Sequence, residues 1–368
     1  MLQRIAALSA LFASSVLTTA QTVDAPVQTA QKPTHEVRAT EKHRVDGHLT
    51  RVQTLTTSEI TNAFRPPMVC DPDGNVYLST DPVGVSGIHK LNGKGERIAL
   101  FEASANTQNL QVDAVAYFAV QPSGGEVYQL VYPHEINRYV FVYKPDGTFR
   151  SAIKLDPGFP FLPKKLAVFS GGQFLIAGEE YDAEKTAALW PFSGIFAADG
   201  HLLKEFELED DKALHDMAGS GDPRVALPGR PHSNKAIDNS QIAMGDDGNA
   251  YLMRWTNPTI FYAISPGGDV IRRFTVDPGA SGFMPTELHL YKNRIAILFV
   301  ERQSFDLIVQ IVDLEGHGIA AYDLLRAEGK PKDDLGVALA CYTENPTRFV
   351  FLGTDDDNKL QLRIVEPR

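Results

Sequence analysis

The chain has 368 residues, 43% of them hydrophobic, with 46 Asp and Glu against 35 Lys and Arg and a formal net charge of −11. The apolar content suffices for a large core. The acidic balance argues against nucleic-acid binding as a main role, because that role relies on Lys and Arg to neutralise phosphates.

Residues 1–20 read as a secretory signal: Arg4, an apolar stretch over Ile5–Val16, and Thr18-Thr19-Ala20 as a small-residue cleavage site. The stretch is short for a membrane span, so no span is expected in the mature form. Residues 21–44, rich in Thr, Gln, Ala and Pro, read as a disordered linker. Export to the periplasm or beyond is the expected localisation.

From residue 45 onward a single pattern recurs. An apolar run, a Gly/Asp/Asn turn, a second run, a loop, a third run and another Gly turn make up one copy. The clearest copy spans Met68–Phe101, with MVC, DPDGN, VYLST, GIHKL, NGKGE and RIALF in order. Further copies end at Leu155, Leu208, Val276 and Leu325, and a last one, ending in KLQLRIVE, lacks its fourth run. Val, Ile, Leu, Phe and Tyr dominate the runs, and turn residues bound them, so each copy reads as a four-strand meander. Tyr139–Tyr143 and Ile295–Val300 are apolar almost throughout, which a strand with one wet face would not be. Four-stranded sheets covered on both faces are the blades of a β-propeller. The expected fold is all-β, a six-bladed propeller over residues 45–368. Val45-Asp46-Gly47-His48 followed by Leu49–Leu55 supplies the missing fourth strand of the last blade and closes the ring. An insertion over 209–240, rich in Gly, Pro, Asp and His, reads as a long loop.

Cys70 and Cys341 are the only cysteines. They fall in the first strand of neighbouring copies across the closure, and the reading places them in one register. They read either as a disulfide, which an exported protein would retain, or as two buried thiols in an apolar slot.

In this connectivity the loops after the second strand of each copy emerge on one face and the short turns on the other. Loops on a rigid scaffold carry function. The candidate ligand-binding residues are therefore His134, Glu179, Glu180, Arg254, Trp255, Glu301, Arg302 and Asp355, with Asp81, Glu135, Tyr181, Asp356 and Asp357 beside them. His215, Asp216, Arg230 and His232 of the insertion could fold over the mouth. This mixed ring suits a small polar ligand or a protein partner. Trp255 reads equally as a stacking platform or as cover for a sheet edge.

Asp355–Asp357 lacks the alternating acids and distal Glu of an EF-hand loop, and Asp71-Pro72-Asp73-Gly74 is explained by hairpin chemistry. His134, His215, His232 and His289 lie on different copies, as a zinc site shared between blades would require. No local spacing assigns a metal. A divalent cation such as Ca or Zn is open, and catalytic and metal residues are unassigned. No Gly-x-Ser-x-Gly, Cys-x-x-Cys-His or phosphate-cradling Gly loop occurs.

Pro67, Asp71–Tyr77 and Ile88–Leu91 of the first copy, and Asp247-Gly248-Asn249-Ala250-Tyr251 of the fourth, resemble NHL repeats and, more loosely, gluconolactonase-like (SMP-30-like) propellers. That resemblance implies the propeller fold. For activity it implies a metal-dependent hydrolase or lyase using an acidic residue at the start of the first blade. Here Phe64-Arg65-Pro66-Pro67 stands at that place. The residues themselves favour a non-catalytic binding propeller.

Overall fold

A computed structural model describes residues 36–39, 45–61, 64–80, 87–103, 110–134, 137–182, 187–205, 240–301, 303–324 and 338–368. The expected signal, most of the linker and the 209–240 insertion lie outside the described residues, Ser240 apart. Two strands precede the repeats, β1 (Glu36–Ala39) and β2 (Gly47–Thr61). Antiparallel four-strand meanders follow: β3 (Phe64–Cys70), β4 (Val76–Thr80), β5 (Ile88–Leu91) and β6 (Arg97–Phe101); β7 (Val112–Val120), β8 (Val127–Pro133), β9 (Arg138–Tyr143) and β10 (Phe149–Leu155); β11 (Phe161–Val168), β12 (Phe174–Asp182), β13 (Ala187–Phe196) and β14 (Leu202–Glu205). The next is β15 (Ser240–Met244), β16 (Ala250–Arg254), β17 (Thr259–Ile264) and β18 (Val270–Val276). β1, inside the stretch read as linker, pairs in parallel with the outer edge of β18.

The remaining strands are β19 (Phe283–Tyr291), β20 (Arg294–Glu301), β21 (Leu307–Asp313), β22 (Gly318–Leu324), β23 (Ala338–Thr343), β24 (Arg348–Thr354) and β25 (Lys359–Pro367). They form one eight-stranded sheet with β2, in the order β19-β20-β21-β22-β2-β25-β24-β23, where two separate blades were expected. The join is narrow. β2 is parallel to β22 at Gly47 and His48 alone, but antiparallel to β25 from Leu49 to Thr61. His48 supplies side chain as well as backbone there: its Nδ1 lies 2.5 Å from Oδ1 of the buried Asp323. The fold is thus an all-β propeller of four-stranded antiparallel blades, with the N-terminal strand built into the last sheet.

The innermost strands β3, β7, β11, β15, β19 and β23 neighbour one another in cyclic order around a channel. Each pair of adjacent meanders shares an apolar layer. Leu130 and Val140 pack with Leu166 and Phe174, Tyr251 and Phe261 with Ile295 and Phe299, and Met68 and Leu78 with Ala340 and Leu352. The last of these layers joins the first meander to the final one. A fully buried Leu or Phe contributes about 1.5–3 kcal/mol relative to exposure, so these layers hold the ring. Leu49 of β2, 3% exposed, sits in the layer shared by β20 and β24. Leu49→Ala is expected to cost about 2–3 kcal/mol in denaturant unfolding, because that side chain fixes β2 into the layer between the last two meanders.

The turns follow from sequence. Asp71 Oδ1 accepts hydrogen bonds from the Asp73 and Asn75 backbone amides at 3.1 and 2.9 Å, and Oδ2 from Tyr77 at 3.2 Å. Asp247 repeats the device with Asn249 and Tyr251. These carboxylates are committed to hairpin geometry. Gly200, at φ 95°, closes the β13–β14 turn so tightly against the preceding meander that a Cβ would overlap the Lys154 carbonyl oxygen.

Cys70 and Cys341 form a disulfide, with Cα atoms 5.1 Å apart. They are not in one register. In a ring of face-packed sheets each sheet shows one face to its predecessor and the other to its successor, so residues that meet across the seam must differ by one in register. Tyr342, not Cys341, holds the place in β23 that Cys70 holds in β3. Tyr342 then faces the β19–β22 side, and Cys341 faces β3.

Candidate functional site

A cavity of about 540 Å³ occupies the channel, lined by the inner strands and reaching the turns after β3, β7, β15 and β19. It thus opens toward the face carrying the short turns, opposite the loop face on which the sequence placed the site. Those turns are too short to cover the channel. Small side chains leave its middle open: Ala119, Ala167 and Ala243 occupy equivalent places on β7, β11 and β15. The walls are largely apolar, and Asp71, Asp73, Lys90, Asp246 and Lys292 stand at the turn end.

The inner end is polar. Tyr117, Lys165, Gln241 and Glu287 stand three residues ahead of Val120, Val168, Met244 and Leu290 on four consecutive inner strands. Irregularities at Val115/Phe118, Pro163/Lys165 and Pro285/Glu287 fall at this level on β7, β11 and β19. A bulge inserts one residue and re-aims the side chain beside it, so polar groups enter an otherwise apolar barrel here. Tyr117 and Gln241 line the cavity directly. Gln241 Nε2 donates to Glu287 Oε2 at 3.0 Å, and the Lys165 ammonium lies 5.1 Å from the centre of the Tyr117 ring.

Glu287 is 7% exposed. Burial pushes its carboxyl up to about 8, against the opposing pull of the Gln241 hydrogen bond and the Lys165 charge. Burial also raises the Tyr117 phenol, with the nearby Glu287 carboxylate adding to the effect and a hydrogen bond from the Ile242 backbone opposing it. His289, two residues beyond Glu287, is pushed down to about 4 by burial, partly offset by its bond to Leu339. It is neutral at pH 7, and its Nε2–H donates to the Leu339 carbonyl at 2.6 Å. Its role is to tie β19 to β23.

The loop-face candidates are not brought together among the described residues, and none lines the cavity. His134 Nδ1 lies 3.0 Å from Asp113 Oδ2 at the surface. Glu179 pairs with Lys164 at 2.8 Å. Glu301 accepts backbone N–H bonds from Gln303 and Ser304, and the Ser304 bond foremost holds its carboxyl below the usual range. Asp355 accepts from the Asp357 and Lys359 amides, closing the β24–β25 turn. Arg254, expected at the channel mouth, is fully buried with its guanidinium 5.1 Å from the Tyr262 ring centre. Trp255 beside it is 41% exposed. Asp81, Glu135, His215, Asp216, Arg230, His232 and Arg302, and the side chains of Glu180 and Tyr181, lie outside the described residues. No group of three or more His, Cys, Asp or Glu that could hold a metal occurs among the described residues. No described helix is long and apolar enough to cross a membrane.

No family model and no curated protein matches the chain. Solved structures similar to it are propellers. One is the PQQ-bound aldose sugar dehydrogenase of Streptomyces coelicolor, at 13% identity and TM-score 0.48, covering 88% of this chain and 99% of that one. A second is a calcium-binding protein, regucalcin, of Agrobacterium tumefaciens, at 14% identity and TM-score 0.45, covering 86% and 95%. A third, assigned as a gluconolactonase, shows 12% identity and TM-score 0.44, covering 89% and 94%. At these identities the likeness concerns the fold alone.

Proposed function

We propose that this chain is an exported six-bladed propeller that takes a small ligand into its central channel. The observation that carries the reading is the 540 Å³ cavity with apolar walls and a polar belt at its inner end. Ligand sites of this size join apolar walls to a few placed polar groups. The cyclic order of inner strands supports six blades, because the eight-stranded sheet divides at a parallel join of two residues. Arg4, the apolar run after it and the Cys70–Cys341 bond support export. A metal-dependent hydrolase or lyase, which the sequence resemblance implied, has no donor set behind it among the described residues.

A thermal-shift screen of small organic molecules tests the proposal, run on the wild type and on Ala243→Phe. A ligand bound only by the folded state raises the melting temperature by mass action. Wild-type protein should show hits whose shifts vanish in the filled-channel variant, with Ala119→Leu repeating the effect. Hits that persist unchanged in both variants would place binding elsewhere and sink the reading.

A further inference from the structure

The belt at the inner end of the channel presents donors. The Ile242 backbone hydrogen-bonds the Tyr117 phenol, which leaves the phenol's own hydrogen to donate elsewhere. Lys165 carries three N–H donors and no acceptor. Gln241 directs its NH2 to Glu287 Oε2. From β20, Leu298 stands opposite Glu287, and β23 presents Ala338, Leu339 and Ala340 at this level. His289, on β19 with Glu287, is spent on the Leu339 carbonyl. The titratable groups facing Glu287 are therefore Lys165 and Tyr117, with neutral His289 alongside.

We infer that the inner end of the channel is a carboxylate site, where the Tyr117 phenol on the wall, with Lys165 and Glu287 beside it, holds the head group of a small organic acid whose apolar body lies along Leu166, Ala167 and Ala243. The inference rests on the channel being the ligand site. Glu287 takes part as the protonated acid, a state that its burial already favours at neutral pH. An anion bound beside it favours that state further, since two adjacent carboxylates share a proton in preference to both being ionised. Binding is thus linked to proton retention and weakens once Glu287 ionises. An amine would behave oppositely, gaining from the ionised carboxylate.

The experiment is calorimetric titration of the purified protein with octanoate, octanamide and octylamine from pH 6 to 9.5. Octanoate should bind most tightly at pH 6.5, and its dissociation constant should rise about tenfold per pH unit above pH 8. Glu287→Gln should abolish that rise. Lys165→Met should weaken octanoate at least about tenfold while leaving octanamide within about twofold, as expected for loss of a charge-assisted hydrogen bond. Tyr117→Phe offers a second, milder probe, and melting temperatures show that each variant is folded. Preference for octanamide or octylamine, or an octanoate affinity flat across the pH range, overturns the carboxylate site and leaves channel binding standing. Failure of all three probes, with screen hits that survive Ala243→Phe, overturns both.

Discussion

Glu287→Gln should make the protein markedly more stable at alkaline pH and flatten its stability between pH 5 and 8. The folded-state carboxyl titrates near 8, against an ordinary value of 4.5. Between those values the unfolded chain has released the proton and the folded chain retains it. Stability therefore falls as pH rises through this window, because the folded state binds more protons. The contribution is fully present below about pH 4.5 and lost by about pH 8. At 1.36 kcal/mol per unit, the loss is on the order of 5 kcal/mol at pH 9. Gln keeps the shape and still accepts from Gln241, but it carries no charge to desolvate. Urea unfolding of wild type and variant at pH 5 and pH 9 measures the difference directly. Equal pH slopes in the two proteins would show that Glu287 does not hold its proton in the fold.

The second large effect belongs to the seam. The Cys70–Cys341 bond spans 271 residues of sequence. Cross-linking so long a loop lowers the entropy of the unfolded chain, and the chain-entropy estimate for such a loop is about 5.6 kcal/mol. Measured bridges commonly deliver about 2–4 kcal/mol. The seam also has the β2–β25 pairing and the apolar layer around Met68 and Leu352. Cys70→Ser with Cys341→Ser should therefore weaken the fold by about 2–4 kcal/mol without preventing it. Non-reducing and reducing melting curves of wild type should show the same gap. Identical curves would mean that the bridge adds nothing to ring closure.

Much of this architecture is legible in the sequence because its signals are local. Asp-Gly and Gly-Gly turns separate the runs, and Ile295–Val300, apolar throughout, is buried throughout. The N-terminal strand is legible too, since Leu49–Leu55 copies the pattern of the fourth strands, and it does pair with β25. The polar belt is harder to see. Three of its members directly precede an apolar triplet, Phe118-Ala119-Val120, Leu166-Ala167-Val168 or Ile242-Ala243-Met244, and the fourth precedes Leu288-His289-Leu290. Reading inner strands as apolar runs stops one residue short of it. Aligning the copies would have exposed a polar position at one offset, but which way it points depends on bulges that leave no mark in composition. The same one-residue effect governs the cysteines, which look equivalent in sequence and meet only because they are not. Arg254 misleads for a different reason. A charged residue at a strand end suggests an exposed mouth, whereas the ring of Tyr262 on the paired strand receives its guanidinium inside the sheet.

The most direct test of the channel as the working site is a crystal structure of the protein soaked with the strongest hit from the thermal-shift screen. The ligand should lie between β7, β11, β15 and β19, with its apolar part against Ala119, Ala167 and Ala243 and a polar group within hydrogen-bond distance of Tyr117 or Gln241. A ligand seated among the loops around Trp255 and Glu301, with the channel empty, would contradict the account.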